Sequence, residues 1–508
     1  MKPDITKLNK IAEAKYFPLI FIPLAFLFVL VYSLSTSPLY VHEGWDSNIF
    51  KEIGLAITRG KLLYVDIFDH KGPVIFLIDA LGQLMIPGRL GIFILQVIAM
   101  SGVLVYLYKM ARLFLNGILS FVSVMATLVI FSGIYYEGNL TEEWGLIAVV
   151  ISMYYAIRYL KTASADKNSP TPHSCWLSVV YGVCFSYIFY MRPNDAVATV
   201  GGVMFGIFVF LLYTRQYKCA INNALCFVGT FIVLSIPFFA YFASKNALDA
   251  YWYGMITHNS MYTNGFLPLV KSCFGKKKLM FFLLFLAINV MAYNTKYRNV
   301  MFILVPISLF AWVLTGWLMF VHYAIPYIPL FLLFWVFMFK QKGLSIPLLS
   351  LAIMYCSSFG GQLDFLYGIR KDTAERIHQI KTKDQDNREF YAECKKLIDV
   401  IPEDERDQIW NLNLIWDRYP LCSIFFHNGL VQCNKVMHYP HYAVDPALKE
   451  QDNIWTGNPK WILMTHVLDK HLYYHFDFTR DYEYIAEHYE YVAETDPAIC
   501  NIVLYRRK

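Results

Sequence analysis

The chain has 508 residues, of which 57% are hydrophobic and only 16% charged, with a formal net charge of +6 and a mean hydropathy of +0.41. Soluble domains carry about 25% charged residues, so a single water-soluble globule is excluded. The modest positive charge lies largely in short loops, where it speaks to membrane topology rather than to nucleic acid, and no nucleic-acid partner is expected.

The opening segment is basic, and the apolar run from Phe17 to Leu34 is followed by no small-residue cleavage site. It reads as a retained first helix rather than a cleaved signal. A membrane helix needs roughly 20 apolar residues. About eleven segments qualify on that length: 17–35, 89–108, 116–133, 142–160, 175–190, 196–213, 220–243, 279–294, 299–315, 319–339 and 343–358. The long run 299–339 is divided at Thr315–Gly316–Trp317 as a tight turn. Lys2, Lys7, Lys10 and Lys15, then Lys109 and Arg112, Arg158, Lys161 and Lys167, Arg215 and Lys218, Lys296 and Arg298, and Lys340 and Lys342 all fall on one side. The positive-inside rule makes that side cytoplasmic. The loop 244–278 dissents with Lys271 and Lys276–Lys278, which suit anionic headgroups or a phosphate. The expected architecture is a polytopic α-helical membrane domain over 1–358 and a small α/β soluble domain over 359–508 on the extracytoplasmic side. In that tail "NREFYAECKKLIDVI" reads as helix, and "KWILMTHV" and "ICNIVLYRR" as strands.

The first external loop, "GWDSNIFKEIGLAITRGKLLYVDIFDHKGP" (44–73), is the most ionisable part of the membrane domain. Asp46 or Ser47 suits a helix cap. Phe50, Ile53, Gly54 and Ile57 form an apolar face opposite Lys51, Glu52 and Arg59, and Gly60 ends the helix. Pro73 suits the first turn of a second helix, "VIFLIDALGQLMI", which is too short to span. Two interfacial helices thus flank "DIFDHK" and hold carboxylates and a lysine at the membrane edge. Taken singly, Asp46 reads as a cap, Asp66 and Asp69 as turn residues and Lys71 as a snorkelling cation.

In combination these residues resemble a family. The external "D-S-x-x-F" helix, "G-x-x-x-Y-x-D-x-F-D-H-K-G-P", "GNLTEEW" (138–144), "MRPND" (191–195) and "VHYAIPYIP" (321–329) follow the order of the bacterial GT-C glycosyltransferases. These include protein-mannosyltransferase-like (glycosyltransferase family 39-like) proteins and lipid A aminoarabinose transferases. The likeness covers roughly 15–340. It implies a bacterial inner-membrane enzyme that moves a sugar from a polyprenyl-phosphate carrier to a glycan, lipid or protein acceptor at the external face. It puts the base at Asp46 and a carrier-phosphate contact at Lys71, and one of Glu142 and Glu143 in the cavity. Gly72 stands where the lipid A branch has proline, so that branch's acceptor does not carry over.

Arg192, at an external span end, is a second cation for a leaving phosphate, or a snorkelling arginine. Glu142 and Glu143 begin a span, where the helix dipole alone favours anions. His322 and Tyr323 suit sugar or phosphate. His70 with Asp66, Asp69 and Glu142 or Glu143 is the set open to a divalent cation, although no spacing demands a metal, and no cofactor is expected. There is no G-x-x-x-x-G-K-[ST], H-E-x-x-H or paired C-x-x-C. Cys394, Cys422, Cys433 and Cys500 allow two disulfides in three pairings. The competing function is a transporter or flippase of a lipid-linked glycan, but the charges gather in external loops and no inverted repeat is evident.

Overall fold

The computed structural model describes residues 5–166, 168–262, 273, 275–315, 321–341, 343, 348, 365–412, 422–437, 440–465 and 479–508. Its helices include α1 (Ile5–Ala12), α2 (Phe21–Tyr32), α3 (Asp46–Thr58), α4 (Pro73–Met85), α5 (Arg89–Arg112), α6 (Gly117–Ile134), α7 (Thr141–Thr162) and α8 (Cys175–Phe189). The helices Pro193–Tyr213, Tyr217–Ser244, Lys276–Tyr293, Met301–Leu314 and Val321–Met338 follow. Every predicted span from 17–35 to 319–339 coincides with one of these elements. Of the expected span 343–358 only residues 343 and 348 are described, and Gly316 and Trp317 of the expected turn lie outside the described residues.

Among the described residues, five helices are long and apolar enough to cross a membrane. Thr6–Ala12 with Phe17–Tyr32, bent by 82°, makes a sixth if counted as one span. Val321–Met338 is central, with 78% of its apolar window buried, whereas Tyr217–Ser244 is only 6% buried and turns Ile221, Leu225, Ile232 and Ile236 outward. An apolar helix buried so little is stable only against lipid.

Local chemistry sets the helix ends. Asn116 caps α6 by accepting from Leu119 N at 2.9 Å. Pro73 opens α4, and Gly60 closes the turn after α3 at φ +86°. At one end of the bundle the N-terminal segment meets the α5–α6 turn, where Ile118 N donates to Asn9 at 3.3 Å. At the other end α3, α4, the loop 135–140, the turn 190–192, the segment 248–262 and the start of Val321–Met338 converge.

The tail builds a mixed sheet in the order β1-β2-β4-β3, from Ile409–Leu412, Trp461–Thr465, Ile502–Arg507 and Tyr489–Glu494 in that spatial order. β1 and β2 are parallel, and the other pairings are antiparallel. β2 is buried on both faces. Trp461 and Leu463 pack with Phe390, Leu397 and Ile398 of the helix Gln385–Val400, while Ile462 and Met464 pack with Trp410, Ile485 and Tyr489. That alternation is the period of two expected of a strand.

The tail also changes the reading of α3. Lys51 and Glu52, expected on its polar outer face, are fully buried. The Lys51 ammonium donates to Ser35 O and Glu43 O, both at 2.8 Å, and pairs with the Glu43 carboxylate. Glu43 also pairs with Arg89, and His427 lies 3.3 Å from it. Glu52 accepts from Gln432 N at 2.9 Å. Amphipathicity marked the face that shuns water in isolation, whereas the fold covers the opposite face with residues 424–432, where Glu52 takes a backbone N–H, and Lys51 is paired by Glu43.

Candidate active site

The first turn of α3 is held from outside. Its N-cap is Trp45, whose side chain makes no capping bond, and Asp46 is the first helical residue. The Glu137 carboxylate instead accepts from Trp45 N at 2.7 Å and Ser47 N at 3.0 Å. This corrects the local reading of Asp46 or Ser47 as the cap: a carboxylate 90 positions away does that work. Glu137 is 2% exposed, and it sits in a loop where Tyr136 (φ 65°), Gly138 (φ 80°) and Asn139 (φ 56°) are all left-handed. Burial, reinforced by Asp46, pushes its pKa up to about 8 against the pull of the two backbone N–H groups.

Asp46 itself makes no hydrogen bond to another described residue and is half-buried. Burial raises its pKa; Lys71 and Arg192 pull it down, and Asp69 adds to the rise. The segment "HKGP" reaches it by docking on the turn after α8. Gly72 N donates to Met191 O at 3.1 Å, and Val74 N to Tyr190 O at 3.0 Å. A Cβ on Gly72 would lie 2.2 Å from Tyr190 O, so only glycine permits this approach. The Lys71 ammonium is lowered in pKa by burial, opposed by Asp69 and Asp46. It lies 2.8 Å from His70 Nε2.

Arg192 forms the second half of the site. Its guanidinium pairs with Glu142, lies 3.7 Å from Asp195 and sits over the Tyr323 ring at 4.1 Å. His322 Nε2 is 3.9 Å from the same Glu142 carboxylate, and its ring stacks on Tyr136. The structure therefore brings Glu142, Arg192, His322 and Tyr323 together. Glu143 is set apart: it accepts from Gln96, Asn139 N at 2.7 Å and the Tyr135 hydroxyl, a buried network without a charge partner among the described residues.

Asp66 and Asp69 also diverge. Asp66 accepts from Leu62 N at 2.7 Å within its own turn. Asp69 is 3% exposed, accepts from Lys71 N at 2.9 Å, and contacts His441 Nε2 at 3.2 Å. Burial opposes its ionisation, but His70, His441 and Lys71 hold it well below the usual carboxylate range. The expected cation set of His70 with Asp66, Asp69 and Glu142 or Glu143 does not form: only Asp69 and His70 meet, and their companion is His441. Sequence reasoning missed Glu137, Asp195, His258 and His441. Glu137 left a signal, as the first charge after an apolar span. His441 left none, being 372 positions from Asp69.

No protein-family model matches the chain, and no curated protein matches it in sequence. Solved structures do. The archaeal oligosaccharyltransferase AglB from Archaeoglobus fulgidus, in complex with an inhibitory peptide and a dolichol-phosphate, aligns over 89% of this chain and 69% of its own at 11% identity and a TM-score of 0.43. ArnT from Cupriavidus metallidurans in the apo state aligns over 96% of this chain and 97% of its own, at 12% identity and a TM-score of 0.58. Agreement over nearly the whole of both chains extends to the tail with its small sheet, and the chain has the GT-C fold seen in ArnT.

Proposed function

We propose that the chain is an integral membrane glycosyltransferase that moves a sugar from a polyprenyl-phosphate carrier to an acceptor hydroxyl on the extracytoplasmic face. The observation that carries this reading is the state of Asp46. It is a carboxylate relieved of helix capping by Glu137 and left without a hydrogen bond among the described residues, in the field of two cations, Lys71 and Arg192. The ArnT fold supports the same class of reaction.

In this reading the acceptor hydroxyl attacks the anomeric carbon from the face opposite the carrier. The new C–O bond forms as the bond from that carbon to the phosphate oxygen breaks, inverting the centre. Asp46 takes the hydroxyl proton, a role worth typically 10²–10⁴-fold. Lys71 and Arg192 bind the polyprenyl phosphate as it gains charge, which stabilises the transition state more than the ground state. Glu142 and Asp195 orient Arg192, while Tyr323 and His322 wall the sugar side. The N-terminus is cytoplasmic and the tail extracytoplasmic in a bacterial inner membrane, with membrane lipid and a glycan, lipid or protein acceptor as partners.

The test incubates purified protein with polyprenyl-phosphate sugars and candidate acceptors and measures release of polyprenyl phosphate. Wild type should turn over. Asp46→Asn should lose at least two orders of magnitude in kcat, on the scale of general-base catalysis, with its melting temperature retained. A fully active Asp46→Asn protein would sink the assigned base. Lipid-linked sugar crossing a vesicle uncleaved would point to a flippase instead.

A further inference from the structure

The loop 135–140 carries two parts of the proposed site on adjacent residues. The Tyr136 ring stacks on His322, centroids 5.1 Å apart, and Glu137 caps α3. One peptide group joins them. Tyr136 has φ 65°, a left-handed conformation that a tyrosine keeps only where its surroundings hold it. Three successive carbonyls of this loop are held from outside. Glu137 O accepts from Ser35 N and Gly138 O from the Ser35 hydroxyl, both at 3.1 Å. Tyr136 O, the carbonyl of the joining peptide, accepts from Arg376 Nη2 at 2.5 Å.

Arg376 comes from the tail. It lies on the helix Phe365–Lys381, which packs along α6, and stands 240 positions from Tyr136. It is 4% exposed, with its guanidinium 5.3 Å from the centre of the Tyr32 ring and the Tyr40 hydroxyl beside it. Nε and Nη1 have no hydrogen-bond partner, and no carboxylate among the described residues pairs with the charge. A buried cation in that state is costly, and an apolar side chain of similar length would pack there at less cost. The guanidinium's gain lies at Tyr136 O, which no apolar chain can hold.

We propose that Arg376 is a positioning residue for the transfer: by holding the Tyr136 carbonyl it sets the peptide that carries the Tyr136 ring against His322 and the Glu137 carboxylate under α3. Its effect on rate rests on the transferase reading above, whereas its effect on geometry does not. Arg376 acts through others. The tail helix fixes the Tyr136 peptide, that peptide fixes Glu137 and the first turn of α3, and the turn carries Asp46. Rotation of the peptide would disturb both sides at once. His322, on the sugar side, would lose its stacking face, and Trp45 and Ser47 would lose their acceptor. A lysine here keeps a charge and a point donor but lacks the planar fork that lies over Tyr32 while reaching Tyr136 O.

The test compares Arg376→Met, which keeps the stem and removes the donors, with Arg376→Lys. Hydrogen exchange of the full-length protein in detergent, read by mass spectrometry, needs no transferase activity. Arg376→Met should hold its melting temperature yet lose protection in peptides covering 33–48 and 135–144, with peptides from α8 and the tail sheet unchanged. In the polyprenyl-phosphate release assay its kcat should fall about 10–100-fold, as small misplacements of catalytic groups cause, and KM should change less, since Lys71 and Arg192 still hold the phosphate. Arg376→Lys should recover part of both. If wild type releases no polyprenyl phosphate, the proposed reaction fails and the exchange result still decides the geometry. An Arg376→Met protein with wild-type exchange over both stretches would overturn the proposal, as would an active one with wild-type kcat. Protection lost evenly along the chain in both variants would overturn it too, by making Arg376 a general structural residue.

Discussion

Removing the Glu137 carboxylate tests how the site is assembled. In Glu137→Ala the N–H groups of Trp45 and Ser47, now bonded at 2.7 and 3.0 Å, lose their acceptor beneath a covered surface. A buried donor left unpaired costs about 1–3 kcal/mol, so the pair is worth about 2–6 kcal/mol gross. Burial of the carboxyl, which lifts its pKa to about 8, offsets part of that. The net loss should be about 2–4 kcal/mol, in line with the strongest helix caps plus a second unpaired donor. The change should also reach catalysis. Asp46 is the nearest carboxylate to the exposed helix end and can turn back to cap it, leaving the cavity. A tenfold fall in kcat corresponds to about 1.4 kcal/mol, and at least that is expected. Glu137→Gln keeps one acceptor oxygen and should fall between wild type and alanine. Thermal unfolding in detergent and polyprenyl-phosphate release measure the two effects. A Glu137→Ala protein matching wild type in both would refute the claim that this residue holds α3 and frees Asp46.

Three further outcomes follow from the same geometry. Glu52 is buried, with its pKa pushed up to about 8. The folded state therefore holds a proton that the unfolded chain releases above its ordinary value of 4.5, and stability should fall as pH rises from there to about 8. Glu52→Gln should flatten that slope in melting curves taken across the range. Gly72→Ala would force a Cβ against Tyr190 O, now 2.2 Å from its ideal position, and should cost about 1–3 kcal/mol as overpacking does. Because Lys71 moves with it, the KM for the carrier-linked sugar should rise. Cys394 is hydrogen-bonded by Cys500, and burial raises its thiol pKa well above the usual range. If the tail is exported, non-reducing peptide mapping should find Cys394 joined to Cys500, and a tail recovered wholly reduced from cells would count against export.

The helical scaffold was legible in the sequence because lipid favours long apolar runs, and each such run from 17–35 through 319–339 coincides with a helix, although only five of the described helices are long and apolar enough to cross on their own. The tail strands at Trp461 and Ile502 showed as short apolar runs, but β1 and β3 did not. β3 is largely exposed, and Trp410 and Leu412 are apolar only in a four-residue strand. Within the site, Asp46 and Lys71 are marked only by the resemblance that their motifs carry together, and Arg192 by its place at the end of a span. Their partners are not marked, because nothing in a linear pattern marks a remote carboxylate such as Glu137 as the cap of another helix. The burial of Lys51 and Glu52 was hidden for a related reason: hydrophobic periodicity registers the first surface a helix covers and is silent about a second one built from residues 424–432.

That late covering has a consequence for how the protein is made. Lys51 and Glu52 leave the ribosome well before Gln432, which stands 380 positions beyond Glu52. Through most of synthesis their charges are hydrated, and α3 can lie only loosely on the bundle. The contacts from Phe426 and Gln432 close around it when the tail folds. Contacts of such long sequence separation form late and slowly. A chain cut short in its tail would enter the membrane with its spans in place and its first loop unset, so that assembly of the site itself reports completion of the chain.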